Sequence, residues 1–315
     1  MPDAAAAFAP PIARVAGMSA HGLSLDPLWP RAGDWPPLGA DGADLTLIGI
    51  PTQDTSLSPT GAGATPAAVR DALRRYSAFA PGEDVESLRF ADAGDVPSPD
   101  GPEGRERARA AMAEASSRSR LTVAVGGDNS LTVPAALGSF GGDLGAAGLI
   151  TLDAHHDLRD GSSNGSPVRE LIEAGLDGRR IVQIGIADFA NSAAYARRAA
   201  DYGITVIRRD ELHTRPLDDV MAEALEIAGA GGGPMHVDLD VDVCDRSVAP
   251  GCPASVPGGL AAWELRRFAR LAGASSLVRS LDIAEVDATA DAPDQRTVRL
   301  AALLVLDAAA GLASR

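Results

Sequence analysis

Apolar runs of strand length recur along the chain, separated by stretches of helical character, and this alternation constrains the fold more than any other feature. The runs are DLTLIGI at 44–50, LTVAV at 121–125, GLITLDA at 148–154 and RRIVQIGI at 179–186. They continue with GITVIRR at 203–209, PMHVDLDVDV at 234–243 and VRSLDIAEVD at 278–287. Helices are expected at 67–76, with Thr65 as N-cap and Pro66 in the first turn. Further helices are expected at 103–119, from 131, and at 216–229, 261–273 and 298–312. Strands that are apolar throughout and alternate with helices predict a parallel sheet covered on both faces. No internal repeat or composition break divides the chain. We therefore expect an irregular arm over 1–40, rich in Ala, Pro and Gly, and a single α/β catalytic domain over 41–315. Trp29 and Trp35 would anchor the arm.

An open parallel sheet gathers its chemistry at the carboxyl ends of its strands. The polar clusters of this sequence fall there: Asp128 and Asn129 after LTVAV, Asp153 to Asp157 after GLIT, Asp238 to Asp242 after PMHV, and Glu285 after SLDIA. On an extended chain, positions i, i+2 and i+4 share a face. Asp153, His155 and Asp157 should then converge, as should Asp238, Asp240 and Asp242. Mixed carboxylate and imidazole donors suit Mn, Fe or Zn better than Ca. So many ligands fit two ions bridged by carboxylates, roughly 3.5–4 Å apart. Buried without a cation, these carboxylates would be very costly. A lone D-x-H-x-D is more often a solvated loop and a lone D-x-D-x-D at a strand end is ambiguous; it is their joint occurrence at strand ends that favours metal.

Bulk properties exclude several alternatives. The net charge of −15 argues against a nucleic-acid or anionic-membrane surface. No run approaches the ~18 apolar residues of a membrane span, and no basic flank precedes an apolar N-terminal run, so a cytoplasmic location is expected. The chain has no lysine, which rules out Schiff-base chemistry and a P-loop clamp. Cys244 and Cys252 are expected to be packed thiols rather than ligands or a disulfide.

GGDNS at 126–130, DAHHD at 153–157, DLDVDVCDRSVAPG at 238–251, PGG at 257–259 and Glu285 in IAEVD together resemble the ordered motifs of the ureohydrolase (arginase/agmatinase/formimidoylglutamase) superfamily. The likeness runs over about residues 44–312. It implies a three-layer α/β/α arginase-like fold with a mostly parallel sheet of about eight strands. It also implies two Mn2+ ions with a bridging hydroxide. Carried over by position, Asp153 and Asp238 would bridge both ions. Asp157 would bind one ion and accept a hydrogen bond from the hydroxide, and His155 and Asp240 would complete the other site. Glu285 would pair with the amidine or guanidine of a small-molecule substrate. One departure stands out. Asn129 occupies the position of a ligand histidine, and an amide oxygen is the weaker ligand for Mn, so the first site is expected to be weak or empty. His156 would be a packed histidine.

The loop DGSSNGSPVR at 160–169 is most similar to formimidoylglutamases. Asn164 stands where arginases and agmatinases commonly carry a histidine. The substrate implied is N-formimidoyl-L-glutamate, cleaved to glutamate and formamide in histidine degradation, with Asn164, Ser166 and Arg169 as binding residues. Arg169 or Arg159 would take a carboxylate. Two alternatives remain: an agmatinase- or guanidinobutyrase-type enzyme releasing urea, and a metal-poor, non-catalytic ligand-binding paralogue. The likeness also suggests a homo-oligomer, a trimer or hexamer.

Overall fold

The computed structural model describes residues 22–24 and 26–315. Eight strands form one parallel sheet in the order β2-β1-β3-β8-β7-β4-β5-β6. They are β1 (Ala43–Ile50), β2 (Phe90–Asp95), β3 (Ser119–Gly126), β4 (Gly148–Leu152), β5 (Ile181–Ile186), β6 (Thr205–Arg208), β7 (Met235–Asp240) and β8 (Val278–Ala284). Every pairing is parallel. The α/β/α architecture expected from the sequence is therefore present, with a sheet wholly rather than mostly parallel.

Helices α1 (Thr65–Leu73), α6 (Leu217–Ala228), α7 (Ala262–Ala274) and α8 (Arg296–Ala313) form one covering layer. Its core joins Leu45, Val123, Ile150 and Val237 of the sheet to Val69, Met221, Phe268 and Leu304 of the helices. The other layer contains α2 (Gly101–Ser117), α3 (Thr132–Phe140), α4 (Pro167–Ala174) and α5 (Ala193–Tyr202). There Met112, Ala108 and Ala135 pack on Ile48 and Ala124, and Phe140, Leu171 and Ala199 pack with Leu149 and Ile181. Burial on both faces is why the strands are apolar throughout. Among the described residues no helix is long and apolar enough to cross a membrane.

Several local expectations are corrected. β2 was not anticipated: its sequence, FADAGD, is mostly half-buried or exposed because it lies at the sheet edge. Helix α5 was not anticipated either, since only Ala199 of it is buried and its apolar signal is faint. Thr65 is not an N-cap: Ala64 is, and the Thr65 hydroxyl donates instead to the Val286 carbonyl at 2.5 Å. In the arm, Trp35 does anchor, stacking on Phe90 with ring centroids 4.5 Å apart. Trp29 does not, being half exposed. Residues 1–21 of the arm lie outside the described residues.

β3, β8, β7 and β4 are the four central strands, and their carboxyl ends point to one place. The chain runs outward from β4 through β5 to β6 and then returns to β7, so the order reverses there. A reversal of this kind opens a crevice above the strand ends.

Candidate metal centre

Two groups of side chains converge in that crevice. One ligand atom each of Asp153, His155 and Asp242 lies within 4.8 Å of the others, and the same holds for Asp153, Asp157 and Asp240. Asp153 belongs to both. The convergence does not arise from strand alternation, as the sequence had suggested. β4 ends at Leu152, and Asp157 sits at φ 52°, in the left-handed region that a non-glycine residue enters only at a cost. β7 ends at Asp240, after which a 3-10 turn (Val241–Val243) carries Asp242 round; the Asp240 carboxylate caps that turn by accepting the Asp242 N–H at 2.8 Å.

Asp238, expected from the sequence as a bridging ligand, is in neither group. It lies within β7, in register with Asp282 of β8 and Thr151 of β4. There it joins a sealed polar row in which His236 bonds Ser280 and Asp282 at 2.6 and 3.0 Å. Asp242, left out of the expected set, stands in the crevice in its place. The motif D-x-D-x-D holds two overlapping pairs, and the fold brings the second, Asp240 and Asp242, into the crevice.

Asn129 is also placed differently from expectation. Its Nδ2 donates to Asp157 Oδ2 at 2.7 Å, while its Oδ1 accepts the Thr132 hydroxyl at 2.6 Å. To become a ligand the amide would have to turn over, its nitrogen then donating to Thr132. His156 is packed as expected, bonded to Gln183 Oε1 at 2.7 Å, with its backbone N–H held by Asn191.

The electrostatics show a shortage of positive charge. Burial, reinforced by Asp157 and Asp242, pushes Asp153 well above the usual carboxylate range. Burial also lifts Asp157 to about 7, and burial with Asp242 nearby lifts Asp240. His155 would be lowered by burial, but Asp242, whose Oδ2 lies 2.7 Å from Nδ1, raises it to about 10. Asp242 is correspondingly held below the ordinary value despite burial. Asp153 Oδ2 is sealed from solvent and has no hydrogen-bond partner among the described residues. Four buried carboxylates and one imidazole, with an orphaned oxygen among them, fit a divalent cation of the Mn type.

The crevice opens into a cleft of about 380 Å3, lined by His155, Asp157, Asp240 and Asp242, and also by Arg159, Asn164, Asn191, Tyr195 and Glu285. Glu285 is held at φ 59°, and burial raises its carboxyl to about 8. Its Oε1 accepts the Asn129 N–H at 2.8 Å and the Asn164 Nδ2–H at 2.7 Å; no described residue bonds Oε2. The other two expected binding residues do not line this cleft. Ser166 is buried, with its hydroxyl oxygen 2.8 Å from Ser163 O and 2.9 Å from Glu170 Oε1, either of which can take its one proton. Arg169 is spent on the carbonyls of Arg159 and Gly161 and on Glu173. Arg159 does line it, exposed, with no partner for its guanidinium among the described residues.

Comparison with known proteins agrees with this architecture. Formimidoylglutamase of Halalkalibacterium halodurans is 35% identical over 272 residues, spanning 83% of this chain and 85% of its own. The crystal structure of formimidoylglutamase from Bacillus subtilis superposes with a TM-score of 0.86 at 30% identity, covering 96% of this chain and 97% of that one. Formiminoglutamase from Trypanosoma cruzi, solved with Mn2+, gives a TM-score of 0.79 at 26% identity over 87% of this chain and 94% of that one. The sequence model of the arginase family matches residues 43–311, and the chain belongs to the arginase family.

Proposed function

We propose that this protein is a manganese-dependent hydrolase of N-formimidoyl-L-glutamate. Water adds to the formimidoyl carbon, the bond from that carbon to the glutamate nitrogen breaks, and the nitrogen takes up a proton. The products are glutamate and formamide.

One observation favours a substrate with an anionic tail over agmatine. The same cleft offers a carboxylate oxygen, Oε2 of Glu285, and a guanidinium, that of Arg159, neither of which has a partner among the described residues. This pair complements a molecule that is cationic at one end and anionic at the other. An amidinium donates to a carboxylate, and a guanidinium takes a carboxylate by paired hydrogen bonds. Agmatine, cationic at both ends, would leave Arg159 facing like charge. The names of the relatives point the same way.

Asp153, His155, Asp157, Asp240 and Asp242 are the residues we assign to hold manganese. When bound, such ions supply Lewis acidity and a water of lowered pKa. Asp157 is the member of this set that would accept the attacking water's proton. Glu285 would hold the amidinium and fix the reacting carbon in the crevice.

The test is product analysis with added Mn2+ on N-formimidoyl-L-glutamate, agmatine, arginine and 4-guanidinobutyrate. Glutamate and formamide from the first alone are expected. Urea from a guanidine, or no product from any of the four, would overturn the reading.

A further inference from the structure

Asn164 bridges two parts of the cleft. Its Oδ1 accepts the backbone N–H of Leu57 at 3.0 Å, and its Nδ2 donates to Glu285 Oε1 at 2.7 Å. The backbone N–H of Asn164 reaches back to the Thr55 carbonyl at 3.4 Å. Leu57 is more than half exposed and lines the mouth of the cleft with Ser58. A backbone N–H can only donate, so the amide oxygen must face Leu57. The amide nitrogen must then face Glu285. This orientation follows from the chemistry of the partners and needs no assignment of indistinguishable atoms.

The consequence lies at Glu285. Oε1 receives two N–H groups, from Asn129 and from Asn164, and neither can accept. A proton on Oε1 would clash with both donors. Oε1 is therefore locked as an acceptor and the carboxylate plane is fixed by two bonds, so Oε2 is the oxygen left for a ligand. Unlike a histidine, an amide donor does not titrate near neutral pH, so this lock is permanent.

We infer that Asn164 is a positioning residue rather than a contact for the substrate's carboxylates: it orients Glu285 for an amidinium group and ties that glutamate to the Leu57 lip. This deepens the proposed function and rests on it for the identity of the amidine.

The test measures binding of two fragments to the Mn2+-loaded protein by calorimetry. Acetamidinium reports the Glu285 end, and glutarate reports the Arg159 end. In Asn164→Leu, acetamidinium binding should weaken about tenfold or more, the scale of one lost hydrogen bond to a charged group, while glutarate binding stays within about twofold. Amide exchange at Leu57 should accelerate in the same variant. Asn164→His, which restores an N–H donor, should recover most of the acetamidinium affinity. Unchanged acetamidinium binding in Asn164→Leu would overturn the inference. So would an equal loss of both fragments, or a loss that the histidine variant does not relieve, since these mark a merely structural role. If the wild-type protein binds acetamidinium yet turns over no formimidoylglutamate, the proposed substrate fails while the role of Asn164 is still decided.

Discussion

At the residue scale, the site turns on which carboxylates leave the sheet and which stay in it. Asp238 and Asp240 lie on one face of β7, two residues apart, yet only Asp240 is at the strand end. Asp238 is enclosed beside Asp282, and that contact raises its carboxyl after burial has already done so. The motif's presence was legible in the sequence. Its register was not, because both overlapping pairs have the same spacing and only the end point of the strand separates them. The two arginines divide similarly. Arg159→Ala should raise KM for N-formimidoyl-L-glutamate about tenfold or more at near-wild-type stability, as steady-state kinetics and chemical denaturation would show. Arg169→Ala should do the reverse: it removes hydrogen bonds from a buried guanidinium to two loop carbonyls, so a loss of about 1–3 kcal/mol is expected with KM little altered. A large KM effect from Arg169→Ala would return that residue to the site.

At the element scale, the six inner strands announce themselves because each is buried by helices on both sides, and β6, at one edge, still shows as the apolar run ITVI. The eighth, β2, does not, because an edge strand of small and acidic residues has no such pattern. The turns after the strands were equally silent. The left-handed Asp157 and Glu285 and the 3-10 turn at Val241–Val243 are dictated by the contacts they serve rather than by local propensity. Between α7 and α8, Gly273 and Gly311 let the two backbones touch. A Cβ on Gly311 would meet the Arg270 carbonyl at 2.0 Å, and one on Gly273 would meet the Ala308 carbonyl at 2.1 Å. Gly311→Ala should therefore destabilise the fold by about 1–3 kcal/mol through overpacking, far from the crevice. Urea unfolding would show a lower midpoint at constant slope, with kcat of the folded protein unchanged. A fall in kcat without a fall in stability would contradict that separation.

At the scale of the whole molecule, the metal centre links function to stability. Asp157 at about 7 and Glu285 at about 8 are raised far above their unfolded values of roughly 4, and Asp153 and Asp240 are raised too. Protein stripped of divalent ions by a chelator thus binds more protons folded than unfolded in this range. Its stability falls as pH rises through about 7 and 8. His155, raised to about 10, extends the loss upward from its unfolded value of about 6.5. Asp242, lowered, works in the opposite sense, at acid pH only. Mn2+ supplies the missing charge. The thermal stabilisation it gives should therefore be larger at about pH 8 than at about pH 6, reaching about 3 kcal/mol when its concentration is about a hundred times Kd. A stabilisation independent of pH would contradict the assignment of these carboxylates.

The most direct test of the account is bound Mn2+ per chain, measured by equilibrium dialysis and elemental analysis on the wild type and on Asp240→Asn, Asp242→Asn and Asp238→Asn. The account predicts that the first two variants lose metal and the third retains it at wild-type stoichiometry. Retention in Asp240→Asn and Asp242→Asn, with loss in Asp238→Asn, would show that the metal centre is not the one described.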